Sequence, residues 1–353
     1  MPKYGLIDLN GKEVLPCQYN ALGEPYCGLL VFRHKPGEKF GYIDIAGKEV
    51  IAPTFHSGGN FDPATGTAYV RETRAGKDYY GRIDTTGRPV IPLNFADIRE
   101  PSEGLSLFKS HDPADRYGYL DLRGNVVVPA KYANASRFSC GMAGVVSADD
   151  PDRVSFIDHS GKRVLGPFEG GFDTLQRHGM FTNRGVALFF EPTTHRGFLM
   201  DRTGRPILKQ PAGVLFTCLR EDLIEVQDTQ THKYGYMNFF GKWVVEPKYV
   251  SVFGPSDGYA TVMIDDGRDP DDYTKRLNVR QGLIDSGGRM ISAVGLRSCG
   301  FVGCGRINFT EKTPAGYRDG YLALPSGEVV IPPRFWYAGR YSEGFAVVGT
   351  EGN

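Results

Sequence analysis

A glycine that returns every 36 to 47 residues limits the folds open to this chain more than any other feature. It stands at Gly11, Gly47, Gly87, Gly124, Gly161, Gly204, Gly241, Gly288 and Gly327. Three residues before it comes Asp8, Asp44, Asp84, Asp121, Asp158, Asp201 or Asp285, with Asn238 and Leu324 in the two other copies. Eight residues after it an aromatic recurs: Tyr19, Phe55, Phe95, Tyr132, Tyr249 and Phe335. Three positions kept in step mark nine divergent tandem units, the signature of a repeat architecture. The units run approximately 1–37, 38–77, 78–115, 116–152, 153–195, 196–231, 232–279, 280–318 and 319–353, within one repeat domain spanning 1–353.

The chemistry of one unit predicts its local structure. Phe40-Gly-Tyr-Ile-Asp44 and Val50-Ile-Ala-Pro53 read as short strands. The intervening Asp-x-x-Gly fits a type I turn, with the Asp carboxylate bonding backbone two residues on and Gly accepting positive φ. Such a turn followed by a left-handed glycine is a known hairpin connection. The proline near the end of the second strand removes a donor and stops the pairing. A third strand follows, as in Ser342-Glu-Gly-Phe-Ala-Val-Val348, where apolar residues alternate as in a half-buried strand. With 46 Gly and 23 Pro the composition suits many short strands joined by turns, not helices. A three-stranded unit cannot bury its face alone, so the units must stack. The expected fold is all-β: a tandem array of three-stranded antiparallel repeats, with an open, curved, solenoid-like arrangement favoured over a closed propeller-like ring.

These units resemble the WG-repeat family of bacterial β repeats. The usual Trp-Gly of that family is represented by Tyr4-Gly5, Phe40-Gly41, Tyr80-Gly81, Tyr117-Gly118 and Tyr234-Gly235. The resemblance is strong in the first four units, the seventh and the ninth, and weak in the fifth, sixth and eighth. It implies a binding or structural role and supplies no catalytic residue.

The residues themselves point the same way. One Asp per unit, always followed by x-x-Gly, is what the turn needs, and copies a full repeat apart cannot share an ion. Cys299 and Cys304 lack the second Cys/His pair of a zinc site. The seven histidines are scattered, and no Walker loop, HExxH or nucleophile elbow occurs. No catalytic, cofactor-binding or metal-binding residue is therefore assigned, and the chain is expected not to be an enzyme and to need no cofactor. Lys plus Arg and Asp plus Glu are both 41, so no net basic field exists to hold nucleic acid or an anionic membrane. The absence of an apolar leader and the six unframed cysteines lead to the expectation of a cytoplasmic protein.

Variation concentrates in the connections from each third strand to the next aromatic-Gly strand: residues 33–39, 71–78, 109–116, 147–153 and 311–319. Insertions on one face of a repeat array often mark the binding face. The residues expected to contact a partner are Arg33, Lys35, Arg71, Arg74, Asp112, Arg116, Asp149 and Tyr317. To these are added Asp265, Asp266, Asp269, Asp271 and Asp272 of an acidic insertion. The function expected is a non-catalytic protein-binding scaffold, in its sharpest form a bacterial immunity protein that occludes a cognate toxin. The alternative from another class is a carbohydrate or small-ligand binder that uses exposed aromatics.

Overall fold

The computed structural model describes residues 1–112, 115–169, 181–191, 193–220, 223–256, 258–264, 280–291 and 298–351. Every described element is a β-strand, and the strands form small antiparallel sheets of three, four or seven strands, none closed on itself. Among the described residues no helix is long and apolar enough to cross a membrane. The chain divides into two compact units, Met1–Glu72 with Ile83–Arg88 and Tyr249–Asn353, and Thr73–Arg82 with Pro89–Lys248.

The Asp-x-x-Gly reading is realised in detail. All nine repeat glycines have positive φ, between 73° and 88°. In the second repeat Asp44 Oδ1 accepts the N–H groups of Ala46 and Lys48 at 2.9 Å, and the Gly47 N–H returns to the Asp44 carbonyl at 3.0 Å. Asp8, Asp84, Asp121, Asp158, Asp201 and Asp285 make the same pair of bonds, and Asn238 makes them in the seventh repeat. Leu324 has no oxygen to offer; there the Gly327 N–H bonds to the carbonyl of Ala323.

The glycine beside the repeat aromatic serves a different purpose. A Cβ on Gly5, Gly41, Gly81, Gly118 or Gly320 would lie 2.5 Å from a carbonyl oxygen of the second strand: that of Leu15, Ile51, Ile91, Val128 or Ile331 respectively. The second strand bulges over the first at this point. Tyr117 pairs with Tyr132 but Tyr119 with Val128, so two residues of one strand oppose four of the other. Only a residue without a side chain permits that approach.

The sheets are cut across the sequence units. Strand Leu29–Arg33, the third of the first unit, pairs with Phe40–Asp44 of the second, which pairs with Glu49–Phe55. A fourth strand, Ala21–Leu22, completes this sheet, and Asp97–Ile98 and Tyr337–Ser342 hold the same place in others. Where it is only two residues long, as at Ala21–Leu22 and Asp97–Ile98, it is too short to display an alternation in the sequence. It forms because the chain reverses just after the repeat aromatic, where Asn20, Ala96, Val250 and Trp336 donate their N–H to a carbonyl at or next to the end of the third strand. The same rule joins the chain's distant segments. Lys3–Asp8 pairs along its whole length with Phe345–Thr350, in a sheet ordered Glu13–Tyr19, Lys3–Asp8, Phe345–Thr350, Tyr337–Ser342.

Burial follows from stacking. Leu6, Leu15, Tyr19 and Val347 of this sheet pack on Leu30, Phe32 and Ile43 of the next. On its other face Ile7, Ala346 and Val348 meet Tyr321 and Ile331. In the second unit Val186, Leu188 and Leu199 pack on Phe216, Ile224, Val226 and Met237. Each fully buried aliphatic contributes roughly 2 kcal/mol by its removal from water. Turn glycines join in: Gly47 lies against Leu15, Gly87 against Ile51, Gly124 against Ile91, Gly161 against Val128, and Gly11 against Ile331. Each partner is the second-strand aliphatic of another repeat.

The tyrosine after the close-approach glycine is wholly buried in the second, fourth and ninth repeats. Tyr42, Tyr119 and Tyr321 donate their hydroxyls to the carbonyls of Gly59, Ser136 and Gly339 at 2.8 to 2.9 Å, and each meets an aromatic edge from Phe61, Phe138 or Tyr341. In the third repeat Arg82 takes the position, only 1% exposed, and reaches Glu100 at 3.0 Å. Pro101 there replaces the aromatic partner, so both halves of the contact have changed together.

Two expectations follow. Gly118→Ala places a methyl 2.5 Å from the Val128 oxygen and should cost about 3 kcal/mol or more. Gly104→Ala meets nothing within 4 Å but keeps φ at +83°, and should cost only about 1–2 kcal/mol. Urea unfolding of both variants checks the difference. The second concerns pH. Hydrogen bonds from Thr86, Asn125, Ser160 and Thr203 hold the Asp84, Asp121, Asp158 and Asp201 carboxyls below the usual aspartate range, and the Arg289 backbone N–H does so for Asp285. A depressed folded-state pKa stabilises above the unfolded value and is lost as pH falls through the folded one. The urea midpoint should therefore hold level from neutrality down to the ordinary aspartate range and decline below it.

Candidate partner-binding edge and a polar cleft

The two ends of each sheet differ chemically. In the pair Leu105–Lys109 and Tyr117–Asp121, Leu105 opposes Asp121 and Lys109 opposes Tyr117. The Asp-x-x-Gly turn therefore lies at one end and the variable connection 110–116 at the other. The pairs Leu29–Arg33 with Phe40–Asp44 and Arg306–Thr313 with Gly316–Ala323 run the same way.

The turn end is occupied by the fold. Two-residue turns with positive φ at both positions link the fourth strand to the third: Cys27-Gly28, Glu103-Gly104, Cys140-Gly141 and Glu343-Gly344. The Glu343 carboxylate accepts the N–H groups of Cys27 at 2.7 Å and Gly28 at 3.0 Å. Glu103 Oε2 likewise accepts from Gly141 at 2.9 Å and lies 3.3 Å from His159 Nε2, whose ring stacks on Phe138. Ser342 and Ser102 hydroxyls donate to the carbonyls of Pro25 and Phe138, and Tyr341 donates to that of Asp8. A glutamate in one turn thus holds the amides of the next.

The loop end carries the expected contact residues. Arg33 is partly buried, donating to Asn20 Oδ1 at 3.0 Å with its guanidinium 4.7 Å from the Phe40 ring centroid, so it covers the repeat aromatic. Lys109 does the same over Tyr117 and pairs with Asp115 at 2.6 Å. Lys35, Asp112 and Asp149 are exposed, Arg71 and Arg116 half-buried, and Tyr317 is exposed on the hairpin opposite Lys312. Asp265, Asp266, Asp269, Asp271 and Asp272 lie outside the described residues.

Two of the connections are brought together. The Arg74 guanidinium lies 5.2 Å from the Tyr79 centroid, the Tyr79 ring packs on His111 at 4.8 Å, and His111 Nε2 sits 3.1 Å from the Asp78 carbonyl oxygen. Arg74, Tyr79, His111 and the adjoining Asp112 form one patch of mixed charge with an aromatic centre. Tyr79 and His111 were not legible as contact residues, because scattered histidines have no spacing to mark them.

A second feature is a cleft of about 510 Å³ lined by Lys131, Tyr132, Val145, Ser147, Asp150, Arg153, Ser155, Ile157, Gly161, Arg163 and Pro167. Only its 147–153 rim belongs to the connections read from sequence. Among the described residues no group of three or more His, Cys, Asp or Glu is placed to hold a metal ion. The described cysteines Cys17, Cys27, Cys140, Cys218 and Cys304 are free thiols, and burial pushes those of Cys17 and Cys27 up.

The family model described as WG containing repeat matches residues 4–35, 40–72, 80–112, 117–147, 234–267 and 325–353, more than half of the chain. No curated protein matches by sequence. Among solved structures, BamB from Moraxella catarrhalis is similar at 13% identity over 99% of this chain and 98% of that one, with a TM-score of 0.43. Virginiamycin B lyase from Staphylococcus aureus is similar at 12% identity over 99% and 100%, with a TM-score of 0.33.

Glu343→Ala removes the acceptor for two turn amides and should lower stability by about 1–2 kcal/mol in urea unfolding while leaving the loop end intact.

Proposed function

The chain belongs to the WG containing repeat family, and from that premise we propose that it is a non-catalytic scaffold that binds another protein through the loop end of its sheets. The observation that carries this reading is the division of labour within the repeat. Aspartate, both glycines and the buried tyrosine are taken up by turns, close approach and core. Chemistry that differs from repeat to repeat gathers in the connections at the other end, where Arg74, Tyr79, His111 and Asp112 adjoin. Aromatic and arginine anchors ringed by polar groups are what protein interfaces favour. The sharper form of the proposal makes the partner a toxin domain whose active site the scaffold occludes, with both partners in the cytoplasm.

The test uses the full chain. Affinity capture from the native cell should recover one protein at near-equal amounts. Arg74→Glu with Asp112→Lys should weaken that complex at least tenfold, while Lys12→Glu in a turn at the opposite end of its sheet should leave it unchanged. Loss in both variants, or in neither, overturns the assignment to the loop end. Growth arrest by the recovered partner that co-expression does not relieve would remove the toxin version.

A further inference from the structure

The fifth repeat breaks the rule that holds the first four, the seventh and the ninth closed. Aligned on Asp158, the position of Gly41 or Gly118 is occupied by Ser155. In the first four repeats, the seventh and the ninth the second strand presses its carbonyl to within 2.5 Å of where a Cβ would stand, and Ser155 has that carbon. The pairing changes accordingly. Val154 pairs with Phe168 and Phe156 with Leu165, so three residues of the second strand oppose two, where four do in the fourth repeat. The bulge has lost one residue. The close approach has moved to Gly166, at φ +89°, whose missing Cβ would meet the Val154 oxygen at 2.9 Å. Ser155 and Pro167, from the two strands whose register has changed, both line the cleft.

Its chemistry is one-sided. Lys131, Arg153 and Arg163 line it against a single carboxylate, Asp150. Among the described residues none of the three cations has a salt bridge, and Lys131 Nζ is held 5.3 Å from the Tyr132 ring centroid. Ser147 and Ser155 add hydroxyls, and Val145, Ile157 and Tyr132 supply an apolar floor. The three cations are exposed, and like charges converging on one concavity concentrate positive potential there, while guanidinium groups match the geometry of oxyanions. A volume of about 510 Å³ lies in the range of small-molecule sites.

The geometry points to a binding site in this cleft for a small organic oxyanion, a carboxylate or phosphate carried on a compact body, made by the exchange of the repeat glycine for Ser155. This site is independent of the loop-end reading, and either can fail without the other.

Isothermal titration of the full chain with inorganic phosphate and with citrate, at ionic strength held constant with chloride, tests it. At least one probe should bind saturably at a single site, and which one does so separates phosphate from carboxylate recognition. Arg153→Gln with Arg163→Gln should weaken binding at least tenfold. Ser155→Gly, which restores the repeat's own residue and lets the bulge return, should weaken it without loss of fold. Arg205→Gln, an exposed cation of another turn, should bind as the unaltered chain does. No saturable heat with either probe, or equal binding by the double variant while its unfolding midpoint is unchanged, overturns the site.

Discussion

A carbonyl oxygen lying where a side chain would begin is the contact on which the rest of this structure depends. The second strand of a regular repeat folds so far over the first that only glycine fits beneath it, and the bulge it forms turns the chain into the next sheet. From this follow the positions of the buried tyrosine, of the short fourth strand, and of the aliphatic residue on which another repeat's turn glycine rests. A single repeat has no interior of its own; its apolar faces become a core only when another sheet lies on each side. Stability is therefore a property of neighbouring repeats taken together, and a defect at one glycine is felt by two sheets.

The legible part of the fold was the part written in residues close in sequence. Asp-x-x-Gly could be read because donor, acceptor and left-handed glycine lie within five residues, and all nine turns carry the expected φ. The bulge could be read only halfway: aromatic-Gly was visible, its cause was not, because the oxygen that excludes a side chain comes from the other strand. In the ninth repeat that blindness hid a copy. Asp319-Gly320 makes the same close approach although its aromatic has become a carboxylate, which burial pushes up and which Thr310 and the Ala338 amide satisfy. The connections as a set were legible, but their assembly was not, since Tyr79 and His111 meet across 32 residues of chain.

Replacement within the repeat obeys the same physics. Where Arg82 supplants tyrosine in the core, the aromatic opposite gives way to Pro101 and a carboxylate arrives at Glu100, because a buried guanidinium without a partner is far more costly than a buried phenol that finds a carbonyl. Where Ser155 supplants glycine, a new glycine appears at 166 on the opposing strand. Both are paired exchanges within one chain, and both leave behind something the regular repeat lacks: an internal ion pair in one case, an open cleft in the other.

The pairing of Lys3–Asp8 with Phe345–Thr350 also bears on how this chain must be made. The hairpin of Lys3–Asp8 and Glu13–Tyr19 has one side of its sheet supplied by a strand that is synthesised far later. At about 5–20 residues per second, its edge waits on the order of tens of seconds with its amides and carbonyls unpaired. During that interval the nascent chain presents an open strand edge to every other chain in its surroundings. Arrival of that distant strand, not any local folding step, is then what ends its exposure.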